Sequence, residues 1–425
     1  MKKIIASASL AAVGAASLHG AYAPGLSPQE KSKAWTISAT VRGFYDDNPT
    51  ASIGADKQES WGLEISPSLA VNLALDQTLI GFNYTYDMRY YEARPRHQAD
   101  HSHLVGLNIN HAITDRYKLE VSDNFHYAQE AELQGIVSNP TGTLRNELSY
   151  AHNNGRLAFT AELTPILGMV AEYQNDYWDF EQRENPLVNA GSLSAALDRI
   201  EHLGSITARW QAMPSTVGLL SYQYGVINHI SNESLYGPLG FVDPETRDTT
   251  SHFVSVGAEQ TFTSQLTGKA KIGAQFTDYP NALASQDDSA VSPYADASAT
   301  WTYNPGSYLQ LGIRHQRNQT DQVQGTLVGV PVQDQESTGV WGVVNHRIAP
   351  NLTGSLLGQV QHSSFRGGGF DGKVDILGAV GVNFAYQVNA FVTAEAGYNY
   401  DRLDSDVTGR SFTRNRIYFG LRASY

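Results

Sequence analysis

The chain has 425 residues, of which 41% are hydrophobic, 10% aromatic and only 17% charged; it carries 38 Gly, no Cys and a formal charge of −13. Low charge with many aromatics excludes a long disordered chain, and the absence of cysteine excludes disulfide, thiolate-metal and thiol-nucleophile chemistry. The acidic balance excludes a nucleic-acid binder, whose footprint is basic.

Met1 to Ala23 opens on Lys2 and Lys3, continues through a small apolar stretch from Ile4 to Leu18, and closes on Ala21-Tyr22-Ala23. That is the pattern of a secretory signal peptide over residues 1–23. Residues 24–33 then form a short periplasmic lead-in. Removing two lysines and no acids leaves 27 basic against 42 acidic residues, a net charge of −15. No later run of about eighteen apolar residues occurs, so no spanning helix is predicted.

From Trp35 onward, short segments alternate in polarity with period two, the pattern of strands with one wet and one apolar face. Strands are predicted near residues 34–46, 60–74, 78–92, 101–113, 117–130, 143–163, 167–181, 198–212, 216–228, 250–262, 266–279, 292–303, 308–320, 337–348, 353–365, 375–386, 390–403 and 413–425. The segment 143–163 is the irregular one. Its apolar phase changes across Asn153-Asn154-Gly155, strong turn chemistry that predicts either a bulge or a small outer hairpin ahead of the membrane strand. Asp123, among Val121 and Phe125, also breaks phase; it predicts a position near the interface or a local bulge.

Three features distinguish a membrane barrel from a soluble sandwich. Tight turns (Leu75-Asp76-Gln77, Thr114-Asp115-Arg116, Met213-Pro214-Ser215, Asn304-Pro305-Gly306, Ala349-Pro350-Asn351, Gln387-Val388-Asn389) alternate with long polar loops such as Asp46 to Glu59, Ile230 to Thr249 and Thr320 to Glu336. Aromatics such as Trp35, Trp61, Tyr90, Tyr117, Trp210, Trp301 and Tyr386 gather towards strand ends, as interfacial girdles do. The chain ends inside a strand, on Tyr425. These features predict an all-β, transmembrane, antiparallel up-and-down barrel of about 18 strands over 34–425, in a bacterial outer membrane, without a separate plug.

The inward phases place Arg42, Arg89, Arg199, Arg209, Arg314, Arg416 and Arg422 in the lumen, with Glu64, Asp87, Glu120, Glu172, Glu201, Glu259 and Glu395. The two signs nearly balance, with no ring of one sign of the kind a charge-selective pore shows; cross-lumen ion pairs are expected. The outward phase of the last strand holds Phe419, Leu421, Ala423 and Tyr425, which predicts a lipid-facing segment needed for insertion.

The opening strand and its exit, Arg42-Gly43-Phe44-Tyr45-Asp46-Asp47-Asn48, resemble the "putative beta-barrel porin 2" family of outer-membrane proteins. So do the turn entries Ile113-Thr114-Asp115-Arg116, Leu163-Thr164-Pro165 and Ile348-Ala349-Pro350-Asn351. The segment Phe419 to Tyr425 is similar to the signal read by the barrel-assembly machinery. The resemblance implies an exit channel for an exopolysaccharide, with periplasmic export components as partners. A general diffusion porin for small solutes is the alternative.

The remaining motifs have plainer readings. Gly367-Gly368-Gly369-Phe370-Asp371-Gly372-Lys373 has P-loop spacing but is followed by Val374, without the magnesium-binding hydroxyl, and is expected to be an outer loop. His97, His101 and His103 cluster, but without a clear further ligand. Asp46-Asp47-Asn48 and Asp287-Asp288 are turn residues before they are calcium ligands. A surface hydrolase would need Ser or Asp beside His at the mouth, and the 13 His scatter without a Gly-x-Ser-x-Gly elbow. No catalytic residue, cofactor or metal is assigned.

Overall fold

Eighteen strands follow one another as antiparallel neighbours, and the last returns to pair with the first. The computed structural model describes residues 33–49, 57–94, 97–129, 132–134, 144–146, 149–181, 193–233, 235–237, 240–321 and 330–425. The expected signal peptide, residues 1–23, lies outside the described residues. The barrel strands are β1 (Trp35–Asp46), β2 (Ser60–Ala74), β3 (Thr78–Tyr91), β4 (Ala99–Ala112), β5 (Tyr117–Ala128), β6 (Tyr150–Glu162), β7 (Leu167–Phe180), β8 (Arg199–Met213), β9 (Thr216–His229), β10 (Thr249–Thr261), β11 (Leu266–Asp278), β12 (Ser289–Asn304), β13 (Ser307–Asn318), β14 (Asp334–Ala349), β15 (Leu352–Arg366), β16 (Val374–Gln387), β17 (Val392–Ser405) and β18 (Phe412–Ser424).

Closure follows from the solvent. Hydrocarbon offers no partner to backbone N–H and C=O groups, so a sheet in lipid has no tolerable edge. Here β1 pairs with β2 on one side, Arg42 opposite Glu64, and with β18 on the other, Arg42 opposite Gly420. The seam extends to the last residue, where Tyr425 N donates to Ile37 O at 2.9 Å and Ile37 N to Tyr425 O at 3.2 Å.

The turns are legible in the residues. Periplasmic connections run two to four residues, whereas outer ones run from six at 406–411 up to the span 129–149. In three four-residue turns a threonine hydroxyl accepts the two N–H groups that the bend frees: Thr114 from Arg116 and Tyr117, Thr164 from Ile166 and Leu167, Thr263 from Gln265 and Leu266. Asn389 does the same for Phe391 and Val392. The turn Pro305-Gly306 needs φ of +78° at its second residue, which glycine adopts without strain.

Alternation divides every strand between lipid and lumen. On β18, Tyr418 is 3% exposed, whereas Phe419 and Leu421 are 64% and 51% exposed on the outer face. Tyr425, 66% exposed, stands at the periplasmic rim with its ring 5.4 Å from Trp35 and 6.1 Å from Phe391.

Two local expectations are corrected. Asn153-Asn154-Gly155 forms no turn: these residues lie inside β6, in unbroken register with β5 and β7. Pairing on both sides satisfies their backbone groups, which outweighs turn propensity. Leu144–Asn146 pairs with Glu132–Gln134 in a small outer hairpin ahead of β6, one of the two alternatives expected for 143–163, although its turn does not fall at Asn153–Gly155. Asp123 is likewise in regular pairing, opposite Gly155, with no bulge.

Gly397 shows how tightly the inner wall packs. A Cβ there would fall 2.5 Å from the Tyr418 ring, whose hydroxyl donates to Asn383 Oδ1 at 2.6 Å. Gly397→Val should displace that ring and lower stability by about 1–3 kcal/mol. The check is the urea-unfolding midpoint of the refolded barrel in detergent; an unchanged midpoint would show that the ring has free space.

Candidate functional site

The fourteen charged residues expected in the lumen fall into two groups by burial. Arg42, Glu64, Asp87, Arg89, Arg199, Glu395, Arg416 and Arg422 are buried. Glu120, Glu172, Glu201, Arg209, Glu259 and Arg314 keep roughly a third or less of their side-chain surface open, as solvated lining. Their pairs run along the wall, not across the lumen as expected: several partners stand directly opposite one another on adjacent strands (Arg42 and Glu64, Glu64 and Arg89, Asp296 and Arg314), and others reach diagonally or over one intervening strand.

Arg199, on β8, donates to Glu201 and to Leu197 O; most of the other buried charges gather around Arg42. Its guanidinium donates from Nη2 to Glu395 Oε2 at 2.7 Å and from Nη1 to Glu64, whose other oxygen accepts from Arg89 Nε at 2.9 Å. Arg422 Nε lies 3.4 Å from Glu395 Oε1. Arg416 Nε donates to Asp46 Oδ2 at 2.9 Å, and Arg414 Nη2 to Asp401 Oδ2 at 2.7 Å. One network therefore ties β17, β18, β1, β2 and β3 together across the seam where the chain's two ends meet.

The solvated group lies on the other side of the barrel. Arg156 Nη2 donates to Glu172 at 2.6 Å and Nη1 to Glu120 at 3.4 Å. Arg209 grips Glu259 with two bonds of 2.8 and 2.6 Å, and Arg314 holds Asp296 at 2.8 and 2.6 Å. Lys269 and Lys271 face Glu259 and Asp296 indirectly, Lys269 opposite Glu259 and Lys271 opposite Asp296 in register.

The outer rim supplies what sequence reasoning missed. The five-residue helix Leu193–Leu197 (α1), in the β7–β8 connection, packs Ala195, Ala196 and Leu197 in one cluster with Tyr150 and Phe180. Both aromatics are inward-facing, so α1 lies inside the rim. Val332, in the β13–β14 connection, packs in the same way with inward-facing Phe365, together with Phe370 and Val407 from two further loops. Arg247, fully buried in the β9–β10 connection, joins the two bodies. Its Nη1 donates to Ala196 O at 2.5 Å, its Nε to Val332 O at 2.9 Å and its Nη2 to Thr320 O at 2.9 Å. Burial, with Arg199 nearby, pushes this guanidinium's pKa down to about 9. Arg410, from the β17–β18 connection, reaches the same β13–β14 loop, donating to Asp321 Oδ1 and Asp375 Oδ2, each at 2.7 Å. Arg247 has a legible local signal: Asp243 caps the turn Pro244–Arg247 by accepting from Glu245 N at 3.0 Å. Its distant partners have none.

The other singled-out residues have structural places. His101 and His103 face outward, each with Nδ1 on a tyrosine hydroxyl: Tyr86 at 2.7 Å and Tyr84 at 3.0 Å. Asp46 holds Arg416, and Asp47 accepts from Asn415. Gly367 to Lys373 is an outer loop, as expected, that buries Phe370. Two inward histidines sit beside carboxylates, His152 Nε2 3.0 Å from Asp176 and His229 Nδ1 3.2 Å from Asp248.

The sequence profile of the family described as "Putative beta-barrel porin 2" matches residues 35–425. The chain belongs to that family. It is an outer-membrane β-barrel porin. Among solved structures, the porin is similar to the outer membrane protein OpdK from Pseudomonas aeruginosa (12% identity, 92% of this chain and 99% of that chain, TM-score 0.45). It is also similar to a BenF-like porin from Pseudomonas fluorescens Pf-5 (11%, 92% and 99%, 0.48) and to OccK2 of Pseudomonas aeruginosa, solved with glucuronate (13%, 92% and 98%, 0.46). No curated protein matches it.

The Arg42 network gives the porin a test of its own. A buried ion pair adds little net stability over a well-packed apolar replacement, but removing one partner leaves a buried charge uncompensated, at about 3–5 kcal/mol. Glu395→Gln should therefore lower the thermal unfolding temperature of the detergent-solubilised barrel markedly, because Arg42 and Arg422 both lose their shared carboxylate. A variant as stable as the parent would mean that water reaches Arg42.

Proposed function

We propose that this porin passes small polar solutes by diffusion through a lumen narrowed at its outer rim. The observation that carries this reading is the packing of α1 and Val332 on inward-facing aromatics, with Arg247 fastening the two loops. The loops rooted at β9–β10 and at β13–β14 are separated by four strands, roughly 20 Å along the rim at the usual interstrand spacing. Their contact requires them to lean over the lumen. A constriction built by inward loops suits a sieve for small molecules. A polymer exit, implied by the family resemblance, would need an open mouth or a large displacement of these loops. The solvated lining of paired Arg and carboxylate side chains supports passage of polar solutes.

Arg247→Ala removes the donors of three buried carbonyls, a loss of about 1–3 kcal/mol for each group left without a partner. In planar bilayers the variant should show a larger and noisier single-channel conductance than the parent. Equal conductance would place the narrowest point elsewhere and remove the loop clamp from the account.

Assembly is proposed on the same terms: export by the signal peptide at 1–23, then recognition of β18 by the barrel-assembly machinery through Phe419, Leu421 and Tyr425. Support comes from the exposed outer face of these side chains and from the seam bonds of Tyr425. Tyr425→Asp should reduce the heat-modifiable, folded band in outer-membrane fractions while the total exported protein falls or accumulates in the periplasm. An undiminished folded band would remove Tyr425 from the signal.

A further inference from the structure

The lipid-facing wall is apolar around most of the barrel, with Val360, Val380, Phe384 and Ile417 on β15, β16 and β18. One sector differs. Across β5, β6 and β7 the outward face presents Asp123, Asn153, Gly155, Tyr173 and Asn175, with Asp123 opposite Gly155 and Gly155 opposite Asn175 in register. Other outward carboxylates on the described strands (Asp179, Asp278, Glu336 and Asp404) lie within three residues of an outer strand end. Asp123 lies midway along β5, six residues from Tyr117 and five from Ala128. Within the barrel it receives a hydrogen bond from Asn153 Nδ2 at 2.9 Å. Lipid tails give the rest of such a group nothing, and polar side chains at membrane depth find their partners in other protein.

We propose that this sector is where two copies of the chain meet, about a twofold axis that runs along the membrane normal past Gly155. The sector is self-complementary about that axis. Tyr173 stands six residues above Leu167, level with Asp123 above Tyr117, and Gly155 stands seven above the β6 end at Glu162. A twofold through β6 therefore sets β5 of one copy against β7 of its partner. The Asp123 carboxyl then faces the Tyr173 hydroxyl of the other chain, which also meets His202 Nδ1 of its own barrel at 2.7 Å, beside Asn175, whose Nδ2 is engaged with Glu201 O and His202 Nδ1, each at 3.2 Å; each contact occurs twice, as a twofold interface requires. Gly155 at the centre brings no side chain, so the two walls approach closely. A lipid headgroup is a poorer occupant: phosphates sit at the rim, above the depth of Asp123, and would repel its charge.

The chain has no cysteine, so single cysteines report cleanly. A Cβ at position 155 meets nothing closer than Asp123 Oδ2 at 3.5 Å, and the Cys fits without disturbing the strand. In oxidised outer membranes Gly155→Cys should run as a disulfide-linked dimer, whereas Val380→Cys on the far wall should stay monomeric. Adding Asp123→Leu to Gly155→Cys should lower the cross-linked fraction several-fold while heat-modifiable mobility shows the barrel intact. Native mass spectrometry of the cysteine-free parent, released from outer-membrane extracts, should show a dimer. A monomer or trimer in that measurement, or equal cross-linking of Gly155→Cys and Val380→Cys, would overturn the proposal. A double variant that fails to fold leaves the parent mass and the single-cysteine comparison to decide the matter.

Discussion

Everything in this molecule depends on closing the sheet. A strand facing hydrocarbon cannot leave its ladder of N–H and C=O groups open, so β1 and β18, some 370 residues apart in sequence (Asp46 beside Arg416), must pair in one register. Such long-range closure is entropically costly and gains nothing until it is complete. The charges reinforce it where it is most needed. The Arg42 network spans the seam and draws carboxylates from β17 and β2 onto a guanidinium of β1. A slip of one residue would move every one of these side chains to the lipid face, so the network specifies register more than it adds stability.

Closure also sets what the loops can do. Periplasmic turns are as short as antiparallel pairing allows, and the chain's spare length is spent on the outer side. Apolar loop residues there have two places to go: into water, or onto aromatics that the strands present inside the rim. Ala195, Leu197 and Val332 take the second. Backbone carbonyls buried by that move need donors, and Arg247 offers a planar fork of several N–H groups from a single residue. The proposed narrowing of the mouth would thus be a consequence of satisfying buried groups.

The barrel was legible because its rule is local. Period-two polarity, turn residues such as Thr164-Pro165 and Asn304-Pro305-Gly306, and the terminal aromatic strand can each be read from a few neighbours. The expectation that the fourteen charged positions share the inward phase came from that alternation. Their division into buried and solvated groups did not, since it depends on which strands become neighbours after closure: Glu395 meets Arg42 across β18. Asn153-Asn154-Gly155 misled for the converse reason. Its local turn preference is real, but two flanking strands outweigh it. The loop constriction was least legible, because Arg247 acts on carbonyls whose identity carries no sequence signal.

A diffusion path for small polar solutes past an outer constriction should sieve them by size. A size series tests it most directly: proteoliposomes holding the purified porin are challenged with neutral sugars from monosaccharide upward, and the swelling rates are compared. Rapid swelling is expected with the smallest sugars, with a steep fall within a few added residues. Impermeability to monosaccharides, together with loss of surface polysaccharide when the protein is deleted from its cell, would contradict it and return the barrel to the role of a polymer exit.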